Sequence, residues 1–308
     1  MLKLIQNEWM KLWAQKTAWI LVIILAVIAI LPAIIEAVTS DISYDNGMTW
    51  QENEQILLDE SLALYEETGD EYFKESALIS EYRLANDISP LSEMSTLDYL
   101  QYGANLMSLV TIMAVIITAA IVSSEFQTGT IKMLLTRPVS RAKVLTSKLA
   151  TVFLYGLLLY GFALAFSYLI GLIFFDNIQN VQLVVENGAV IEKLANEDLG
   201  KYILYSFSNF IMSILFAFMI GSVFRSSSLA IGLTLAISFF SSLVVLFLAK
   251  YEIVKYIWIT HTDLTQYLYG TTIVPDITIG LSLAVLAVYA VIFVVVSYLV
   301  FVKRDVKA

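Results

Sequence analysis

Residues 17–38 read TAWILVIILAVIAILPAIIEAV, a run whose single charge, Glu36, sits close to its end. A helix needs about 20 mainly apolar residues to cross ~30 Å of hydrocarbon, and this run has that length. The bilayer is therefore the solvent in which the chain has to be read. Working outward, runs of the same kind recur at 103–124, 146–175, 202–224, 229–249 and 278–302. They predict six transmembrane helices and an all-α integral membrane fold. Pro32 falls near the end of the first run, where a membrane helix tolerates it, so a kink is expected there and nothing more.

Composition agrees: 59% of the 308 residues are hydrophobic and 15% charged, outside the range of an ordinary soluble domain. The chain has no cysteine, which excludes disulfides, thiolate chemistry and cysteine-ligated metal centres. The stretch before the first run is rich in Trp and Lys and no small-residue cleavage site follows the run, so a retained span is expected rather than a signal peptide.

Charge sets the orientation, because cytoplasmic loops collect Lys and Arg. The N-terminus, the loops after the second and fourth runs and the C-terminal tail at 303–308 hold twelve basic residues against Glu8, Glu125 and Asp305, a balance of +9. The opposite loops hold six basic and twenty-four acidic residues, a balance of −18. Both termini are thus expected in the cytoplasm, and no basic footprint for nucleic acid exists outside the cytoplasmic loops.

The long polar stretch at 39–102 interleaves many acids with Ile56, Leu57, Leu64, Tyr72, Phe73 and Leu78. It reads as an extracellular cap of helices, broken at Gly69, at Asn86–Asp87 and at Pro90. No calcium-loop spacing occurs in it, so a solvated acidic face is expected rather than a metal site. In the outward loop at 176–201, Asn187-Gly188 between Val184-Val185 and Val190-Ile191 predicts a small hairpin.

Two cytoplasmic segments stand out. In residues 1–16, Leu2, Ile5, Trp9, Leu12 and Trp13 recur at helical spacing with Lys3, Asn7 and Lys11 on the other side, the pattern of an interfacial amphipathic helix anchored by Trp9, Lys11 and Trp13. Residues 123–141 read SSEFQTGTIKMLLTRPVSR and open the cytoplasmic loop 125–145. Phe126, Thr130, Met133, Leu134 and Arg137 fall on one helical face, and Pro138 prevents continuation. Such a ridge suits either a partner's groove or the lipid surface. Gly129 permits close backbone approach, and Glu125 complements the helix dipole.

With these two segments and six spans, the chain resembles the membrane subunits of type-2 ABC exporters, the ABC-2 permease family of bacteria. In that family a Glu a few residues before Gly-Thr, followed by a hydrophobic stretch and a Pro, forms a coupling helix that docks on a separate ATP-binding subunit. The resemblance implies that role for Glu125, Phe126, Gly129, Thr130, Met133, Leu134, Arg137 and Pro138. It also implies a second permease subunit, identical or related, a location in the bacterial cytoplasmic membrane, and an extracellular or re-entrant helical hairpin at 250–277. The chain lacks G-x-x-x-x-G-K-[ST], so ATP and Mg²⁺ belong on the partner and no cofactor is expected here. The long 39–102 loop departs from the short-looped members and leaves the substrate open.

No catalytic or metal-binding residue is expected. His261, the only histidine, reads as structural despite Asp263 nearby. Polar span residues such as Asn105, Ser108, Thr111, Thr118, Ser206, Ser208, Asn209, Ser213, Ser238, Ser241 and Ser242 read as helix–helix hydrogen-bonding positions before they read as a path. Two other classes compete with the exporter: an ion-gradient-coupled secondary transporter, which would show intramembrane acids, and a membrane sensor or immunity protein that binds an external peptide at 39–102.

Overall fold

A computed structural model describes residues 1–39, 47–90, 94–127, 139–178, 180–186, 188–224, 226–268 and 272–303. Among the described residues, six helical stretches are long and apolar enough to cross a membrane: Lys16–Val38, Thr96–Glu125, Arg141–Phe174, Leu199–Val223, Ser227–Leu248 and Ile279–Lys303. The helices are α1 (Leu2–Trp13), α2 (Lys16–Thr39), α3 (Trp50–Thr68), α4 (Glu71–Asn86), α5 (Thr96–Asn105), α6 (Met107–Gln127), α7 (Arg141–Phe174), α8 (Leu199–Val223), α9 (Ser227–Leu248) and α10 (Ile279–Lys303). Pro32 lies inside α2 without ending it. At 34 residues, α7 is about 50 Å long, well beyond what the hydrocarbon requires. The chain folds as two units, 1–29 with 103–165 and 200–308, and 30–102 with 166–199.

In the first unit, α6 and α8 cross closely because small residues meet. A methyl group added at Gly221 would stand 2.7 Å from the Ala119 carbonyl oxygen, and Ala119 and Ala217 are fully buried. Close approach of this kind is how helices associate where lipid removes the hydrophobic driving force. Next to it Phe216, Trp258 and Phe293 form a triangle of rings with centroids 5.2–5.4 Å apart. Exposed Ile20, Ile23 and Val27 on α2, Phe239, Phe240 and Phe247 on α9 and Val288, Val291 and Val295 on α10 are apolar surface that only lipid or another apolar partner accommodates.

The described residues of the segment expected to form an extracellular or re-entrant hairpin contain three 3-10 turns, Glu252–Tyr256, Trp258–His261 and Leu264–Tyr267. His261 ties them to α10. It is fully buried, with Nδ1 2.7 Å from Ser282 Oγ and Nε2 2.9 Å from the Lys255 carbonyl, and Tyr267 Oη lies 2.6 Å from the same Ser282 oxygen. Because a carbonyl only accepts, Nε2 carries the proton and Ser282 donates to Nδ1. The histidine is a structural bridge.

In the second unit, α3 and α4 form a helical hairpin. Thr49 caps α3 in a reciprocal box with Glu52, Gly69 at φ 68° ends it, and Asp70 caps α4. Asp87, also left-handed, closes α4. The two breaks fall where the composition placed them. Glu54 is buried between the helices and accepts from Arg83 Nη1 at 3.2 Å.

The hairpin β1 (Val181–Glu186) and β2 (Ala189–Leu194) is a small exception to an all-α fold. Its register pairs Val185 with Val190 and Glu186 with Ala189, and Gly188 turns at φ +80°. Asp98 on α5 gathers the adjoining loops, accepting from Ser95 N at 2.9 Å, Asn196 Nδ2 at 3.0 Å and Asn180 Nδ2.

Candidate functional site: an ionic node joining three helices

Four charged side chains converge within the first unit. Lys148 on α7 is 1% exposed, with Nζ 2.6 Å from Glu8 Oε2 of α1 and 2.7 Å from Glu125 Oε1 of α6. Lys11 adds a second cation, 2.9 Å from Glu8 Oε1 and 3.4 Å from Glu125 Oε1. The node is locally neutral. It has to be, because an uncompensated charge at this depth costs several kcal/mol. Burial alone would raise the Glu8 carboxyl, but the charge and hydrogen bonds of Lys148, then of Lys11, hold it below its ordinary value. Burial likewise works against the Lys11 ammonium, yet Glu8 and then Glu125 raise it.

Local sequence explains the convergence. On α7 the buried positions Val144, Leu145, Lys148, Thr151, Val152 and Tyr155 repeat at spacings of three and four, so Lys148 lies on the core face of its helix. On α1, Glu8 and Leu12 are the buried pair, while Leu2 is 83% exposed. The helix is therefore rotated from the apolar-face reading. Glu8, rather than Trp9, points to the interior, and Lys11, read as part of the solvated side, reaches both carboxylates. Trp13 docks α1, its ring 4.8 Å from Trp19 and 5.7 Å from Tyr155, with Trp9 edge-on at 5.8 Å. Trp19 Nε1 donates to the Trp13 carbonyl at 3.0 Å.

Beside the node lies a cavity of about 520 Å³ lined by Glu8, Lys11, Gln15, Ser124, Glu125 and Lys148 among others. Glu125 Oε2 is buried and has no hydrogen-bond partner among the described residues. Glu125 stands two residues before the end of α6. Of the coupling residues expected from the sequence, Phe126 lies in the last turn of α6, and Gly129, Thr130, Met133, Leu134, Arg137 and Pro138 lie outside the described residues. The structure thus brings together Lys11 and Glu125 and adds Glu8 and Lys148, which charge counting had treated as ordinary loop charges. The signal that singles out Lys148 is a lone cation at core spacing in an apolar helix.

Each carboxylate of the node is held by an ammonium, and no cluster of three His, Asp or Glu able to hold a metal occurs among the described residues. What the geometry does provide is mechanical: three helices remote in sequence are tied at one point.

A family described as protein of unknown function (DUF2705) matches residues 71–307. The chain belongs to that family. It is 34% identical over 318 residues to the uncharacterized protein YhcI of Bacillus subtilis (strain 168), covering 99% of each chain. It is 31% identical over 226 residues to the uncharacterized membrane protein YdbK of the same organism, covering 71% of this chain and 87% of that one. This DUF2705 member is, with its six apolar helices, a multi-pass membrane protein. Two of the helices that form the node, α6 and α7, lie within the matched range, and α1 precedes it.

Proposed function

We propose that this chain is the membrane-spanning permease subunit of an ATP-binding-cassette exporter of the ABC-2 type, with ATP hydrolysis on a separate chain. The observation that carries the reading is the ionic node. Residues 125–138 are the segment whose pattern resembles a coupling helix, and Glu125 at its start is bonded to Lys148 of α7 and, through that lysine, to Glu8 of α1. A push on the segment by an ATPase would reach α1, α6 and α7 together, because a buried ion pair cannot be stretched without stranding charge. Transport then follows from rigid-body tilting of helices powered from outside the chain. In this reading the node faces the cytoplasm of a bacterial cell, both termini lie there, the acidic 39–102 segment lies outside, and two permease subunits pair in the membrane.

The test is affinity purification of the maltoside-solubilised protein from its native cell. A stoichiometric ATP-binding chain is expected, with the complex's basal ATPase rate altered by Glu125→Gln at equal membrane abundance. A folded protein that purifies alone, or a rate indifferent to the substitution, sinks the proposal. A second reading, capture of an external peptide without transport, rests on the capped and folded α3–α4 hairpin. It predicts a peptide ligand in place of the ATPase.

A further inference from the structure

Seven of the polar span residues share one space. They line one cavity of about 260 Å³ in the first unit. Five of their hydroxyl protons are already committed: Ser108 donates to the Asn105 carbonyl at 3.2 Å, Thr111 to Met107 at 2.8 Å, Ser238 to Thr234 at 2.9 Å and Ser241 to Ser238 at 2.7 Å. Ser213 donates to Asn209 Oδ1 at 3.1 Å, and Thr262, in the same wall, to Ile259 at 2.8 Å. A hydroxyl has one proton, so each of these oxygens turns lone pairs toward the space.

One charged residue lines the cavity, Asp263, and it also lines two adjoining cavities of about 260 and 130 Å³. Its Oδ1 accepts from Thr265 N and Oγ1 at 2.9 and 2.5 Å. Among the described residues no Lys or Arg lines any of the three spaces and no cation pairs with Asp263. Against this set of acceptors stand, among the described residues, three neutral donor groups, the Asn209 amide, the Trp258 indole and the Ser242 hydroxyl. The wall is therefore complementary to a positively charged donor of several hydrogen bonds.

We propose that this cavity binds a primary ammonium group, one N–H directed to Asp263 and the others to the hydroxyl oxygens of α6, α8 and α9, with the Phe239 and Trp258 rings receiving a short alkyl chain. The site is a property of this chain alone and is independent of any ATPase partner. A hydrated alkali cation satisfies the charge but not the demand for directed donors, and a quaternary ammonium has no N–H to give.

The experiment uses the full chain in neutral maltoside micelles, titrated with propylammonium chloride, tetramethylammonium chloride or sodium chloride at matched ionic strength and followed by saturation-transfer NMR and thermal shift. Saturable propylammonium binding is expected, weakened by about tenfold or more in Asp263→Asn. That variant keeps the Oδ1 acceptor for Thr265, so the turn stays capped. Ser238→Ala, which removes one acceptor and no charge, should weaken binding by about threefold. An equal response to tetramethylammonium or to sodium, or propylammonium binding unchanged in Asp263→Asn protein of normal elution and circular dichroism, overturns the assignment.

Discussion

Among the described residues, ion pairs are buried in two places, one in each unit. In the node, Lys148 and Glu8 are both within 5% exposure by side chain and lie 140 positions apart in sequence. In the α3–α4 hairpin, Glu54 is equally hidden at 1%, but its partner Arg83, only 29 positions away, keeps 28% of its side chain exposed. Coulomb attraction is similar in the two. The difference is the exit to water: if Glu54 is lost, the arginine can rehydrate, whereas loss of Lys148 leaves two carboxylates facing Lys11 alone. A buried pair that closes a local hairpin is thus replaceable, and one that ties three distant helices is not.

That contrast can be broken most sharply at Lys148. Lys148→Met should lower stability by about 3–5 kcal/mol, the cost of stranding a buried partner, read as a fall in the midpoint of thermal unfolding in maltoside. Lys11→Met, whose side chain is 43% exposed, serves as the internal control and should cost no more than about 1 kcal/mol. Wild-type stability in Lys148→Met would remove the node from the list of structural ties.

A smaller effect is expected in the hairpin. The double variant Glu54→Leu/Arg83→Met should lie within about 1 kcal/mol of the parent, since an apolar pair of similar volume commonly matches a buried ion pair. Limited proteolysis of the α3–α4 region is the readout. Rapid cleavage would show that the pair holds the hairpin as firmly as the node holds its helices.

The smallest effects are pH steps that separate a buried base from a buried acid. Burial, partly opposed by the hydrogen bond to the Lys255 carbonyl, lowers the His261 pKa from 6.5. The unfolded chain then binds more protons than the folded one below that value, so stability is full above about pH 6.5 and declines as pH falls under it. Glu8, lowered from 4.5, contributes stability that is present above about pH 4.5 and lost as pH falls further. Unfolding midpoints between pH 7.5 and 3.5 should show the upper step disappear in His261→Gln and persist in Glu8→Gln. A profile unchanged by His261→Gln would refute the bridge.

The six spans were legible because apolar length is a one-dimensional property, and the breaks at Gly69 and Asn86–Asp87 and the hairpin at Gly188 were legible because turn chemistry acts over a few residues. The grouping of Glu8, Glu125 and Lys148 was not. Each looks like a flanking charge until the rotation of α1 and α7 is known, and rotation depends on which face packs against which neighbour. The serines and threonines of α6, α8 and α9 show the same limit: sequence marks them as polar in an apolar run but is silent on whether they bond across helices, back to their own carbonyls or around a common space.

Sequence by itself therefore determined that this is a multi-pass membrane chain with six long apolar helices, and that it carries two differently charged sets of loops. Tertiary structure alone decided which charges are buried together and that Asp263 shares a cavity with the hydroxyls. Hydrophobic length and capping depend on near neighbours along the chain, whereas the meeting of residues 8, 125 and 148 depends on packing three helices whose contacts are encoded only jointly.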